Sequence, residues 1–250
     1  MEYFFEDFTE AKYIDVLRRI KKSGYRIVPY SDYRHNKNAL LLRHDVDISV
    51  RRALRFAELE YEEGIRSTYC LLFHSSFYNL LQKEIIKEVR RIVQYGHHIG
   101  LHFYPHYYDL EYKEYKEYSM FIKKLLDEKS MMEDLFGTSV NMFSFHNPEE
   151  GNWISCTDDE IGGMVNSYGS FLKENYEYIS DSNGYWRFER LTDFLDRKHE
   201  SIQMLLHPGW WTPTVMSPYD RIRSCLDEQR DSVLAEYEQA LKVAGRINVR

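Results

Sequence analysis

The sequence predicts an α/β domain in which a parallel sheet, closed or partly closed into a β/α barrel, is wrapped by helices. Three observations carry this. Short apolar runs bounded by turn residues alternate with longer segments of helical period. The 250 residues are enough for one large core, and no linker, repeat or low-complexity stretch divides them. None of the strand-to-helix turns carries the glycine-rich phosphate loop that would announce an open doubly wound sheet. The chain therefore reads as one domain over 1–250, with helices at 9–23 and 217–245 packed on a core at about 39–212.

The elements follow in order. Ile14, Leu17 and Ile20 recur on one face of the first helix, which Gly24 stops. The run 39–47 begins Ala39-Leu40-Leu41-Leu42, short and apolar like a buried strand. Ser49 caps a helix that buries Val50, Leu54, Ala57 and Tyr61 and ends at Gly64. A strand at 68–73 precedes a helix carrying Leu81, Ile85, Val89 and Ile92. Strands at 98–103 and 141–146 flank a long helix over 111–136, whose lysines and glutamates form a solvated face. Between 147 and 200 only short apolar pieces stand out, at Met164-Val165 and 176–179. A strand at 202–207 and a helix opened by Ser217-Pro218 complete the chain, with Ile222, Leu226, Val233, Tyr237 and Leu241 as the inner face of that helix.

Composition excludes several classes. A net charge of −7, spread diffusely, argues against a nucleic-acid footprint. Cys70, Cys156 and Cys225 show neither metal nor disulfide spacing and read as reduced, buried thiols. No stretch reaches the ~18–20 apolar residues of a membrane span, and the acidic start does not resemble a signal peptide, so a cytoplasmic location is expected. The 21 tyrosines suit a carbohydrate-facing cleft or, more commonly, a Tyr-rich surface and core edge.

The segment Arg43-His44-Asp45-Val46-Asp47 is the most informative. Residues two apart on a strand point to the same side, so Asp45 and Asp47 share one. Two like charges on one side of a core strand are costly unless a metal or a proton is shared there. His102, His106, His146 and His207 also fall at or just beyond the ends of predicted strands, the face where barrels do chemistry. Asp47, His102 and His106 form a carboxylate–His–His set suited to catalytic zinc, with a position left for water.

The stretch Gly96-His97-His98-Ile99-Gly100-Leu101-His102-Phe103-Tyr104-Pro105-His106 resembles the second motif, G-H-E-I-G-x-H-[ST]-x-x-H, of the NodB-like polysaccharide deacetylases, carbohydrate esterase family four. Arg43 to Asp47 resembles a spaced variant of the family's first motif, T-F-D-D, and Leu205-Leu206-His207 its fifth, L-x-H. The resemblance implies a distorted (β/α) barrel of about seven parallel strands. It implies Asp45 as catalytic base, Asp47, His102 and His106 as metal ligands, and His207 as the acid that protonates the leaving amine. The third motif, R-P-P-Y, is replaced by Phe143-Ser144-Phe145-His146-Asn147-Pro148, and Phe103 stands where the family has Ser or Thr. The charge that steadies the base must then come from elsewhere, with Arg187 the candidate; Asp181 is the candidate to hold His207.

His146 has two readings, a cleft residue that binds substrate or touches the metal, or a strand-end histidine bonded to a loop. Asn147, Trp186 and Trp210 are candidates for contact with a sugar, and a backbone N–H near Asn147 or Glu149 for the oxyanion. Trp211, His97 and His98 read as structural, and His44 stays open. The expected function is metal-dependent removal of an N-acetyl group from a sugar or glycan precursor, with zinc as the ion and cobalt, nickel, iron or manganese as alternatives. The competing readings are an amidohydrolase acting on a non-sugar C–N bond and an inactive glycan-binding domain.

Overall fold

The computed structural model describes residues 3–35, 37–112, 115–186 and 189–249. Its helices are α1 Glu10–Ser23, α2 Val50–Glu62, α3 Lys83–Gln94, α4 Tyr115–Phe136, α5 Ser170–Asn175, α6 Leu191–Asp196 and α7 Pro218–Val243. Its strands are β1 Arg26–Ile27, β2 Ala39–Val46, β3 Thr68–Leu72, β4 His98–Phe103, β5 Val140–Phe145, β6 Glu160–Ile161, β7 Met164–Asn166, β8 Glu177–Ser180 and β9 Ile202–Leu206. The sheet order is β6-β7-β5-β4-β3-β2-β9-β8, with β1 paired to β2 off this path. Every pairing is parallel except that of β6 with β7. The short apolar pieces at Met164-Val165 and 176–179 fall on β7 and β8.

The sheet curls into a half-barrel. Asp45 on β2 and Ser144 on β5 are three strands apart, ~14 Å in a flat sheet, yet Ser144 Oγ donates to Asp45 Oδ1 at 3.2 Å. Side-chain parity divides the core. Leu40, Leu42 and Val46 face the helices, where most of the apolar residues pack. Ala39 and Leu41 point inward and meet Cys70, Met142, Val165, Leu172 and Tyr176, with Tyr30 and Tyr33 closing the lower end. Gly100 sits at the narrowest level of this interior. A Cβ there would collide with Met142 Sδ and lie 2.8 Å from Cys70 Sγ. The seam between β7 and β8 is bridged by side chains: Gln203 Nε2 donates to Ser167 O at 3.3 Å, and Tyr176 OH to Tyr33 O at 2.6 Å.

Thr9, Ser49 and Ser217 cap α1, α2 and α7, each accepting from the backbone N–H three residues on. The expected inner face of α7 is not the one that packs. Leu226, Val233 and Tyr237 are about half exposed, and the face toward α2 is polar. There Ser224 and Glu228 accept from Arg52, and Ser232 accepts from Arg51. Tyr61 and Leu81 are also exposed, Leu81 because α3 begins two residues after it. All three cysteines are free and buried. No helix among the described residues is long and apolar enough to cross a membrane.

Candidate metal centre and active site

The inward parity of four strands converges at their C-terminal ends. On β2 it runs Ala39, Leu41, Arg43, Asp45 and then Asp47, one residue past the strand. On β4 it gives Gly100 and His102, and on β5 Met142, Ser144 and then His146. Beyond β9 it gives His207. His102 Nε2 lies 3.1 Å from Asp47 Oδ1, His146 Nδ1 lies 3.1 Å from His102 Nε2, and His146 Nδ1 lies 3.5 Å from Asp47 Oδ1. Two ligands held ~2.0–2.1 Å from a tetrahedral zinc are ~3.3 Å apart, so these three atoms have the mutual spacing of a metal face.

The donor chemistry fits as well. Ser144 Oγ gives its one proton to Asp45, so the short 2.7 Å contact with His102 is donated by His102 Nδ1–H. That fixes the tautomer and turns the Nε2 lone pair toward Asp47 and His146. Asp47 Oδ1 is buried and finds no hydrogen-bond donor among the described residues. Burial would push the Asp47 carboxyl up; positive charge facing it, at His102 first and then at His146 and His207, pulls it well below the usual carboxylate range, the direction a bound cation would also impose. Two nitrogens and a carboxylate oxygen within 3.1–3.5 Å of one another suit a divalent cation.

His106, expected as the third ligand, is not brought to this cluster. Pro105 opens a tight turn over Pro105–Tyr108 directly after β4, and the turn carries His106 outward to Glu150 Oε1 at 3.3 Å. His146 takes its place. Its N–H donates to Phe103 O at 2.7 Å, extending the β4–β5 ladder by one residue and keeping the inward parity of Met142 and Ser144.

Asp45 is buried beneath the cluster, with its Oδ2 3.6 Å from His102 Nδ1. Its cationic neighbour is Arg43, whose Nε is 3.2 Å from Asp45 Oδ1. Arg187, expected in that position, lies outside the described residues. The signal for Arg43 was present: Arg43-x-Asp45 has the same two-residue spacing that puts Asp45 and Asp47 on one side. Ser144 was legible in the same way, from the alternation of Phe143-Ser144-Phe145-His146.

His207 stands on the opposite flank, its Nε2 3.8 Å from Asp47 Oδ2. Asp181 accepts from His207 Nδ1 at 2.6 Å, from His207 N at 3.0 Å and from Trp211 Nε1 at 2.8 Å. Burial alone would lower the pKa of His207; the Asp181 carboxylate overrides it and pushes the ring up to about 9. His146, Asn147 and Trp210 line the cleft above the cluster, about 740 Å³ in volume. Trp186 does not. It is buried behind the sheet, stacked on Phe8, and its Nε1 donates to Asp7 Oδ2 at 2.9 Å.

His44 faces the other side of β2 and belongs to a different cluster around Glu60 on α2. His44 Nε2 lies 2.7 Å from Glu60 Oε1, where Tyr13 OH also donates. Ser67 Oγ at 2.6 Å and Tyr69 OH at 2.7 Å donate to Glu60 Oε2, and His97 Nδ1 is 3.4 Å from it.

Solved structures of similar fold include a CE4-family pseudoenzyme from Bacillus anthracis, 16% identical with a TM-score of 0.44 over 78% of this chain and 62% of that one. Several of them are named as members of carbohydrate esterase family four. A chitin deacetylase from Colletotrichum lindemuthianum matches at 16% identity and a TM-score of 0.43, covering 76% of this chain and 81% of that one. A family-four carbohydrate esterase from Bacillus anthracis matches at 14% and 0.41, covering 93% and 94%. The chain thus spans just under two thirds of the length of the pseudoenzyme. No family model and no curated protein sequence matches the chain.

Proposed function

We propose that the protein is a divalent-metal-dependent hydrolase that removes an N-acyl group, acetyl in the simplest case, from an amino sugar or glycan precursor. The observation that carries this is the mutual 3.1–3.5 Å spacing of Asp47 Oδ1, His102 Nε2 and His146 Nδ1, with a carboxylate and an imidazole on either flank. Asp47, His102 and His146 would hold the ion. When bound, a divalent cation supplies a water of lowered pKa and polarises a carbonyl.

The remaining work falls to the chain. Asp45 takes the proton of the attacking water through Oδ2, while Arg43 and Ser144 hold Oδ1. His207, kept protonated at neutral pH by Asp181, gives a proton from Nε2 to the departing nitrogen. Trp210 and Asn147 at the cleft wall are placed to orient a sugar ring.

The test is acetate release and free amine formation from N-acetylglucosamine oligomers by protein loaded with zinc or cobalt. Asp45→Asn and His207→Ala should each slow turnover by about 10²–10⁴-fold while retaining metal. Protein with stoichiometric metal that hydrolyses no N-acyl sugar would overturn the reading in favour of a glycan-binding domain.

A further inference from the structure

The cleft continues below the metal centre into the half-barrel, where its floor carries polar groups that the proposed reaction leaves unused. Arg43 is 1% exposed, yet Nε, Nη1 and Nη2 all lack a hydrogen-bond partner among the described residues. Asp45 Oδ1 lies 3.2 Å from Nε, an ion-pair contact without hydrogen-bond geometry. The Tyr168 ring stands 5.8 Å from the guanidinium carbon. Ser167, 3% exposed, has a hydroxyl that is likewise buried and unpaired. Arg43, Ser167, Tyr168 and Gln203 all line the same cleft as Asp47 and His102.

Gln203 ties the group together. Its Nε2 donates to Ser167 O at 3.3 Å, its Oε1 accepts from Tyr30 OH at 2.9 Å, and its backbone pairs with Leu41, one inward step below Arg43. The floor therefore offers a guanidinium fork and a hydroxyl with both Gln203 polar atoms already engaged. A buried guanidinium edge with free donors is costly to leave unmatched, and its planar fork matches a carboxylate.

The direction of the substrate follows from the flanks. His207, which would protonate the leaving nitrogen, stands at the mouth beside Trp210. With the leaving nitrogen placed at His207, the acyl chain is the part that extends toward Arg43, which lines the deeper part of the same cleft. Arg43 lies two residues below Asp45 on β2, ~6.6 Å along the strand, on the acyl side of the reacting carbon.

We infer that the acyl group carries its own carboxylate, which Arg43 and Ser167 receive, so that the substrate is the half-amide of a short dicarboxylic acid on an amino sugar. This rests on the hydrolase reading above and names its substrate class. The chemistry remains hydrolysis. Water oxygen bonds to the amide carbon, the C–N bond breaks with its electron pair on nitrogen, and nitrogen takes the proton. The products are a free amine and a dicarboxylate, with no oxidant or reductant consumed.

Metal-loaded full-length protein is assayed with N-succinyl-, N-butyryl- and N-acetylglucosamine. Succinyl and butyryl chains are of like length and differ in the terminal charge. The expected kcat/KM for the succinyl compound exceeds that for the butyryl one by at least about tenfold. That ratio should fall toward one in Arg43→Met and drop by about threefold or more in Ser167→Ala, a variant that leaves the Arg43–Asp45 pair in place should Arg43→Met fail to fold. A succinyl-to-butyryl ratio near one in the wild type overturns the inference and leaves the hydrolase reading standing. So does a preference for N-acetylglucosaminuronate over N-acetylglucosamine without a succinyl preference, because it moves the carboxylate to the sugar. Calorimetry with succinate and butyrate separates the two readings. Succinate binding that is tighter than butyrate and lost in both variants supports the subsite even if no amide is cleaved.

Discussion

Two clusters of carboxylate and imidazole sit on opposite faces of β2, supplied by adjacent residues of one pentapeptide. His44 joins Glu60, whose oxygens accept from Tyr13, Ser67 and Tyr69 as well. Asp45 and Asp47 face inward, and Asp47 Oδ1 finds no donor among the described residues. The same residue types thus give a closed knot on one side and an open cluster on the other. The difference lies in hydroxyl donors. Where tyrosine and serine protons saturate a carboxylate the group is structural, and where lone pairs converge without protons a cation has a place.

Two experiments should break the comparison most strongly. Glu60→Gln removes the charge at the centre of the closed knot and should cost about 3–5 kcal/mol of folding stability, read by denaturant titration, with zinc affinity unchanged in the folded fraction. Glu60 also predicts an acid limb. Burial would raise its pKa, but His44 and the surrounding donors bring it down to about 2. A depressed folded-state value stabilises above the unfolded pKa near 4.5, and the contribution, about 3 kcal/mol, disappears as pH falls from 4.5 toward 2. Stability of the wild type and Glu60→Gln should therefore converge across that window; parallel curves would place the effect elsewhere.

On the open side the effects should be smaller for folding and specific for metal. His146→Ala is expected to weaken zinc binding by about 100-fold or more by equilibrium dialysis. Ser144→Ala, which frees His102 Nδ1, should weaken it by about tenfold. His106→Ala should change it by less than about threefold, since an exposed ion pair such as that with Glu150 contributes little. Reversal of the His146 and His106 results would restore the ligand set read from the motif.

Much of this was legible in the sequence. The parallel α/β architecture followed from apolar runs and helical period, and the seven parallel strands of the main sheet path agree with the expected number. Asp45, Asp47, His102 and His207 line one cleft, as their strand-end positions and period-two alternation placed them, because those signals are local. Arg43 was missed although the same rule covers it, because the family's pattern puts the cation in a later motif and so pointed to Arg187 instead of to the strand of Asp45 itself. His106 misled because the spacing of a motif does not show what Pro105 does to the chain after β4. Trp186 and the apolar stripe of α7 failed for a different reason. Which face of an aromatic or a helix is covered depends on partners far along the chain, here Asp7 for Trp186 and arginines 51 and 52 for α7.

Because alternation on β2 assigns neighbours to opposite faces, its length is editable only in pairs. Deleting one residue between Ala39 and Leu42 would slide the register and exchange the two populations together. His44 would enter the mouth of the half-barrel, and both acids would turn into the apolar layer under α2. The strand behaves as a parity code, and a single-codon loss in it would destroy two unrelated devices at once while leaving the composition of the segment almost untouched.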